Sequence, residues 1–119
     1  MIEGGELGIR EVAKRLDMTL RAIRFYEDKG LVKPRREGQR RIFDKKAFAR
    51  LERIKVLAGG GVALRKIRTV LDMEDRGLHR AARIDVLREC DRIEAKIVER
   101  RAGLVALREK LISEERTAF

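Results

Sequence analysis

The sequence predicts a mainly α-helical chain: a winged helix-turn-helix with a small two-stranded wing, then a helical buttress, then a long C-terminal helix. Three observations carry this. Two short amphipathic patterns meet at a tight break inside Leu7–Phe43, LGIREVAKRLDMTLRAIRFYEDKGLVKPRREGQRRIF. A basic, glycine-containing ribbon follows them at once. From about Ala81 to Arg116 the chain has no proline, one glycine and a heptad of apolar residues.

In the first pattern Ile9, Val12, Ala13 and Leu16 fall at i, i+3, i+4 and i+7, one apolar face of a two-turn helix. Asp17-Met18 breaks it, and Thr19 is placed to cap the next helix. That helix runs from Leu20 to about Asp28, with Leu20, Ile23 and Phe25 as its inward set. Gly30 can end it in the left-handed conformation. Pro34 marks extended or turn structure. Lys33–Lys46 holds seven basic residues against two acids, and Arg40-Arg41-Ile42-Phe43 leaves a Glu37-Gly38-Gln39 turn as a strand. Val32–Phe43 is therefore the expected wing.

Asp44 can cap a third helix whose buried stripe is Phe48, Leu51, Ile54, Leu57 and Ala58. Gly59-Gly60-Gly61 reads as a turn, since three glycines weaken a helix through backbone entropy. A fourth helix, Leu64–Leu71, buries Leu64, Ile67, Val70 and Leu71. Its cap position falls on Ala63, which has no side chain to cap with. The division expected is residues 1–72 for nucleic-acid binding, 73–80 as a hinge containing Gly77, and 81–119 as a dimerisation helix.

In that last segment Cys90, Ile97, Leu104 and Leu111 take heptad position a. Val86, Ile93 and Leu107 take d, Arg100 interrupts the d row, and Leu87 widens the stripe. Such a helix is roughly 50 Å long at 1.5 Å per residue. A 119-residue monomer has too little folded mass to cover it. Seven large side chains, each worth about 1.5–3 kcal/mol on burial, would stay partly wet. The seam therefore predicts a partner helix, most simply a second copy. The competing arrangement is a helix folded back on its own domain.

The net charge is +10 and is uneven: residues 1–58 carry 16 Lys+Arg against 9 Asp+Glu, and residues 59–119 carry 14 against 11. A positive field in one half calls for a polyanion, nucleic acid first. An anionic membrane surface is the rival, but the basic half lacks the Trp/Phe/Leu face that inserts into an interface. No apolar run approaches the roughly 18 residues of a membrane span. MIEGGELG is not a signal peptide, and a single cysteine fits a reducing, cytoplasmic setting.

The run Met18-Thr19-Leu20-Arg21-Ala22-Ile23-Arg24-Phe25-Tyr26-Glu27-Asp28-Lys29-Gly30-Leu31 resembles the MerR (mercury-resistance-type) family of transcription regulators. It has the family's hydroxyl residue, spacer, Arg-aromatic-Tyr-Glu and closing Gly-Leu in register. The order of elements extends the resemblance over nearly the whole chain. It implies that Arg24 and Tyr26 hold DNA phosphates and that Thr19 and Arg21 point toward the major groove. Arg10, Arg40, Arg41 and Phe43 complete the implied DNA-binding set. The wing departs from the family's usual Ser-Gly-Tyr-Arg-aromatic: Arg40 replaces the tyrosine, Arg41 matches the phosphate-binding arginine, and Phe43 stands for a second aromatic. The Arg-Arg-Glu-Gly-Gln wing looks like a subgroup linked to acyl-CoA and branched-chain amino acid catabolism.

The resemblance further implies a homodimer held by an antiparallel coiled coil of the last helix. Its implied target is a pseudo-palindromic promoter in double-stranded DNA, which binding distorts to switch transcription. RNA polymerase is the further partner implied through the shared promoter. A non-enzymatic DNA-architectural or excisionase-like winged-helix protein is the second reading. A coiled-coil adaptor is a third, which the Arg24-Tyr26 and Arg40-Arg41 sets disfavour.

No cofactor is expected. Cys90 and His79, eleven residues apart, do not close a zinc or copper site on one chain, though one shared across a dimer stays open. Cys90 on the seam reads as a small packed hydrophobe, and a four-cysteine iron–sulfur centre within one chain is excluded. About three residues follow the long helix, leaving no room there for a folded ligand-binding domain. Gly59-Gly60-Gly61 lacks the Lys-Ser/Thr of a phosphate loop, and one histidine supports no catalytic set, so an enzyme is not expected.

Overall fold

The computed structural model describes residues 5–118. The elements in chain order are β1 (Glu6–Gly8), α1 (Ile9–Leu16), α2 (Leu20–Asp28), β2 (Arg35–Glu37), β3 (Arg40–Asp44), α3 (Lys45–Gly59), α4 (Leu64–Asp75) and α5 (His79–Thr117). The chain is mainly α, a helix-turn-helix with a wing and a long last helix, as expected. It divides into two compact units, residues 1–68 and 69–119.

Helix ends in the first unit follow from local chemistry. Thr19 Oγ1 accepts from Ala22 N–H at 3.0 Å, and an Asp44 carboxylate oxygen accepts from Ala47 N–H at 2.8 Å. Each satisfies one of the donors a helix start leaves open. α2 stops at Gly30, which takes φ +74°. Leu31 N–H then donates to the Tyr26 carbonyl at 3.0 Å and Gly30 N–H to that of Glu27 at 2.9 Å. This is a Schellman closure, and it buries Leu31 beneath the turn. α1 closes the same way with Asp17 at φ +52°, a conformation a short polar side chain tolerates.

Cations from the later helices cover carbonyls at these ends. Lys55 Nζ donates to the Leu16 carbonyl, Arg50 Nε to that of Leu31, and Arg68 Nη2 to that of Lys29. A cation at a helix C-terminus also meets the negative end of its dipole. Part of the basic excess is thus used inside the unit.

The wing is larger than the two strands expected. β1 pairs with the far edge of β3, giving an antiparallel sheet of order β1-β3-β2. Leu7 faces Phe43 and Gly8 faces Ile42 on one side of β3, and Arg36 faces Arg41 on the other. Two residues connect β2 to β3, and Gly38 at the first of them has φ +62°. A type II′ hairpin needs glycine there. Arg35 on β2 also reaches across to Glu6 on β1 at 2.5 Å.

The core of this unit is aliphatic around one aromatic. Val12, Ile23, Leu31, Val32, Leu51 and Ile54 are all shielded from water, and Phe43 is 0% exposed. Phe25, expected inward, is 45% exposed. Residues 23 and 25 lie about 200° apart on a helix of 3.6 residues per turn, so both cannot face one core. α3 runs one residue into the glycine triplet, through Gly59, and turns at Gly61 with φ +89°.

In the second unit α4 continues to Asp75, a turn beyond the expected Leu71, and α5 starts at His79, so Arg76-Gly77-Leu78 alone joins them. Val70, Leu71 and Ala82 are buried. Val86 and Ile93 are partly covered, and Cys90, expected as a packed hydrophobe, is exposed. From residue 94 to 118 every side chain is exposed. Among these are Val98, Val105 and Ile112, a second apolar column one residue on from Ile97, Leu104 and Leu111 that the heptad reading does not include.

Candidate nucleic-acid interface

α2 presents Arg21 and Arg24, both exposed, at i and i+3 on one face. Thr19 sits at its start with the hydroxyl oxygen occupied as cap acceptor, while the hydroxyl proton can still be donated. Tyr26 is half-buried and stacks edge-on against Phe25, ring centroids 5.5 Å apart at 70°. Lys29 Nζ lies 5.6 Å from the centre of the Phe25 ring. The exposed aromatic is thus flanked by a ring edge and a cation, both favourable to a π face.

A second cationic locus lies between the first turn of α1 and the wing. A cleft of about 430 Å³ runs between Gly8–Glu11 and Gln39–Arg41, bringing Arg10, Arg40 and Arg41 to one opening. Gly8 is the N-cap of α1 and offers no side-chain cap. Amide donors of the first turn therefore keep their capacity for an outside acceptor. A Cβ on Gly8 would stand 3.6 Å from Arg40 Nη2, so the Arg40 guanidinium lies over this helix start. Helix start and cations together suit an oxyanion such as phosphate. Glu11, on the rim, is neutralised by Arg15 at 2.9 Å.

The two loci are tied by Glu27, to which the sequence assigns no role beyond its place in the Arg-aromatic-Tyr-Glu run. Its carboxylate accepts from Arg41 Nε at 2.6 Å through Oε1 and from Arg36 Nη2 at 3.1 Å through Oε2. Arg36 Nη1 also donates to the Gln39 carbonyl at 3.4 Å. Glu27 and Arg41 side chains are 16% and 20% exposed, so the pair is largely shielded from water. Arg36 and Arg41 are direct cross-strand neighbours, a placement that like charges disfavour. One carboxylate between them removes the repulsion and fixes the wing against α2. The bond to Glu27 uses Arg41 Nε, so the donors of its two terminal nitrogens are not spent on it.

On the other wing edge, the hydrogen bond and charge of Glu6, with a lesser part from Glu37, push the Arg35 guanidinium pKa up. Arg35 thus stays charged and occupied. Phe43, implied as a DNA contact, is corrected: its side chain is fully buried and cannot reach a ligand. In place of a contact it provides the core beneath β3.

This arrangement, an exposed arginine pair on the second helix beside a cationic wing, defines a winged helix-turn-helix DNA-binding protein. Residues 7–74 match the family described as MerR HTH family regulatory protein, and the chain belongs to that family of DNA-binding transcription regulators. Its structure is similar to that of the transcription regulator PbrR691 from Ralstonia metallidurans CH34, solved in complex with lead(II). The TM-score is 0.72 and the identity 29%, over 91% of this chain and 84% of that one. It is also similar to a MerR-family transcriptional regulator from Bacillus cereus, with TM-score 0.51 and 27% identity over 79% and 75% of the two chains. MerR-family regulators bind DNA and dimerise. Among the described residues no helix is long and apolar enough to cross a membrane.

Proposed function

We propose that two copies of this chain bind a pseudo-palindromic promoter in double-stranded DNA, read it through α2 and distort it to control transcription. The observation that carries this is the pairing of two loci on one compact unit. Arg21 and Arg24 stand exposed on α2, the helix proposed to enter a groove, and Arg10, Arg40 and Arg41 gather at the start of α1. The first locus suits base edges and the adjoining backbone, the second a flanking phosphate. Two-fold symmetry of the protein would match symmetry in the site, and deformable central steps would add selectivity without contact. RNA polymerase is the proposed partner at that promoter, with the cytoplasm as the place of action.

The similar regulator was solved with lead(II). Here, among the described residues, no three His, Cys, Asp or Glu side chains converge. The proposed function assigns the protomer no metal site and no catalytic role.

Titration against DNA from the upstream region of its own gene, with random DNA as control, tests the proposal. Specific binding should be at least about 10³ tighter than non-specific binding. With six to ten phosphate contacts per dimer, affinity should fall roughly 10³–10⁵ between 50 and 200 mM salt. Equal affinity for both DNAs would overturn sequence-specific regulation in favour of an architectural protein.

A further inference from the structure

We infer that Phe25 reads sequence: its ring packs on the C5 methyl group of a thymine in the major groove. The inference rests on the reading above, in which α2 reads double-stranded DNA, and names what one further residue of that helix recognises. Phe25 is 45% exposed, whereas every other aromatic among the described residues is buried or half-buried. At 3.6 residues per turn, Phe25 and Arg21 both stand about 160° around α2 from Ile23, one on each side of the line pointing directly away from the core. Ile23 is fully buried, so these two side chains lie at the crest of the outer face. Tyr26 meets the Phe25 ring at a 70° angle, and Lys29 Nζ lies 5.6 Å from its centre. The ring is thus supported from its own helix and still left open to an outside partner.

The charge around the ring selects the class of that partner. Arg21, Arg24 and Lys29 are exposed on this side of α2 against Asp28 alone. Three cations round one ring suit a polyanion that displays an apolar group, and not an apolar protein surface. Width selects the groove. A helix with its side chains is about 10–12 Å across, which matches the major groove at about 12 Å and not the minor groove at about 6 Å.

The chemistry of the groove then selects the base. Arginine can take a phosphate or a guanine edge. Phenylalanine has no donor or acceptor and can take neither. The base pairs display donors, acceptors and one apolar group in the major groove, and that group is the thymine methyl. Against a G·C edge the ring would cover polar groups and leave them unpaired, a cost that falls on the wrong sequence. Phe25 follows Arg21 by four residues, about 6 Å along the helix axis. The thymine therefore belongs within about two base pairs of the position that Arg21 meets.

Removal of the methyl group alone tests this. The probe is the tightest-binding duplex that the full-length wild-type protein selects from a random-sequence library. Each thymine is replaced in turn, in both half-sites together, by deoxyuridine, which lacks the C5 methyl and keeps every hydrogen-bonding group. The wild type should lose affinity at one thymine per half-site, about fourfold for one methyl and about fifteenfold for the two of a dyad. Phe25→Ala should bind the thymine and deoxyuridine duplexes equally. Should alanine unfold the protein, Phe25→Gln takes its place with the same expectation, since glutamine is a good helix former of similar reach. The preference is a ratio measured within one folded protein, so a general loss of stability or of phosphate contact leaves it unmoved. A selected site with no deoxyuridine-sensitive thymine overturns the inference and leaves the reading of α2 standing. So does a variant that keeps the wild-type ratio, the result expected if the ring only supports Tyr26. Equal binding of selected and random duplexes overturns the reading of α2 as well.

Discussion

Glu27 Oε1 lies 2.6 Å from Arg41 Nε, and this bond joins α2, the helix proposed to read DNA, to the wing strand β3. The acid is fourteen residues from its partner, so the bond fixes tertiary structure and not helix structure alone. Glu27→Ala leaves two cross-strand arginines facing each other without a counterion. A loss of about 1–3 kcal/mol in stability is expected, with a clear fall in DNA affinity. Glu27→Gln, which keeps an acceptor but not the charge, should fall between. Denaturant unfolding and DNA titration of both variants measure this. Unchanged DNA affinity in Glu27→Ala would show that the wing holds its position without the pair.

Arg24 and Arg40 are expected to touch phosphate. Alanine at either should weaken binding to all DNA sequences alike and reduce the slope of log affinity against log salt by about 2 per dimer. Arg36→Ala, whose guanidinium is occupied by Glu27 and Gln39, should lower stability with a much smaller change in slope. Fluorescence titrations between about 50 and 200 mM salt separate the two; equal slopes for wild type and Arg24→Ala would remove the phosphate role.

Thr19 caps α2 through Ala22 N–H, and Thr19→Ala should cost about 1 kcal/mol. Thr19→Ser keeps the hydroxyl and should remain near wild type. Urea midpoints report this directly; an alanine variant as stable as wild type would show that water replaces the cap.

Phe43 is buried and not a DNA contact. Phe43→Ala should destabilise by about 3–5 kcal/mol, and any loss of DNA binding should follow the folded fraction seen by circular dichroism. A variant that is fully folded yet fails to bind would restore a direct role.

Local features are legible in the sequence because their causes are local. The cap at Thr19, the left-handed Gly30 and the stripe Leu51-Ile54-Leu57 each depend on neighbours within a turn or two. β1 is not legible: Glu6-Leu7-Gly8 is too short for a period and becomes a strand only because β3 has a free edge beside it. A motif places Phe43 on the surface, although its alternation with Arg40 and Arg41 leaves its side open. The double role of Glu27 depends on Arg36 and Arg41 meeting across a hairpin, which spacing along the chain does not reveal. In α5 a strict heptad captures Ile97, Leu104 and Leu111 but passes over Val98, Val105 and Ile112.

The bare arm of α5 has a consequence for abundance. A helix without tertiary contact gains most of its order from what it packs on, so the arm and the pair would form together. If so, the melting temperature rises with protein concentration. While single copies predominate, the amount of paired protein grows with the square of the amount made. A modest change in synthesis then becomes a larger change in promoter occupancy, and how much of the chain a cell makes is itself an input to the gene it controls.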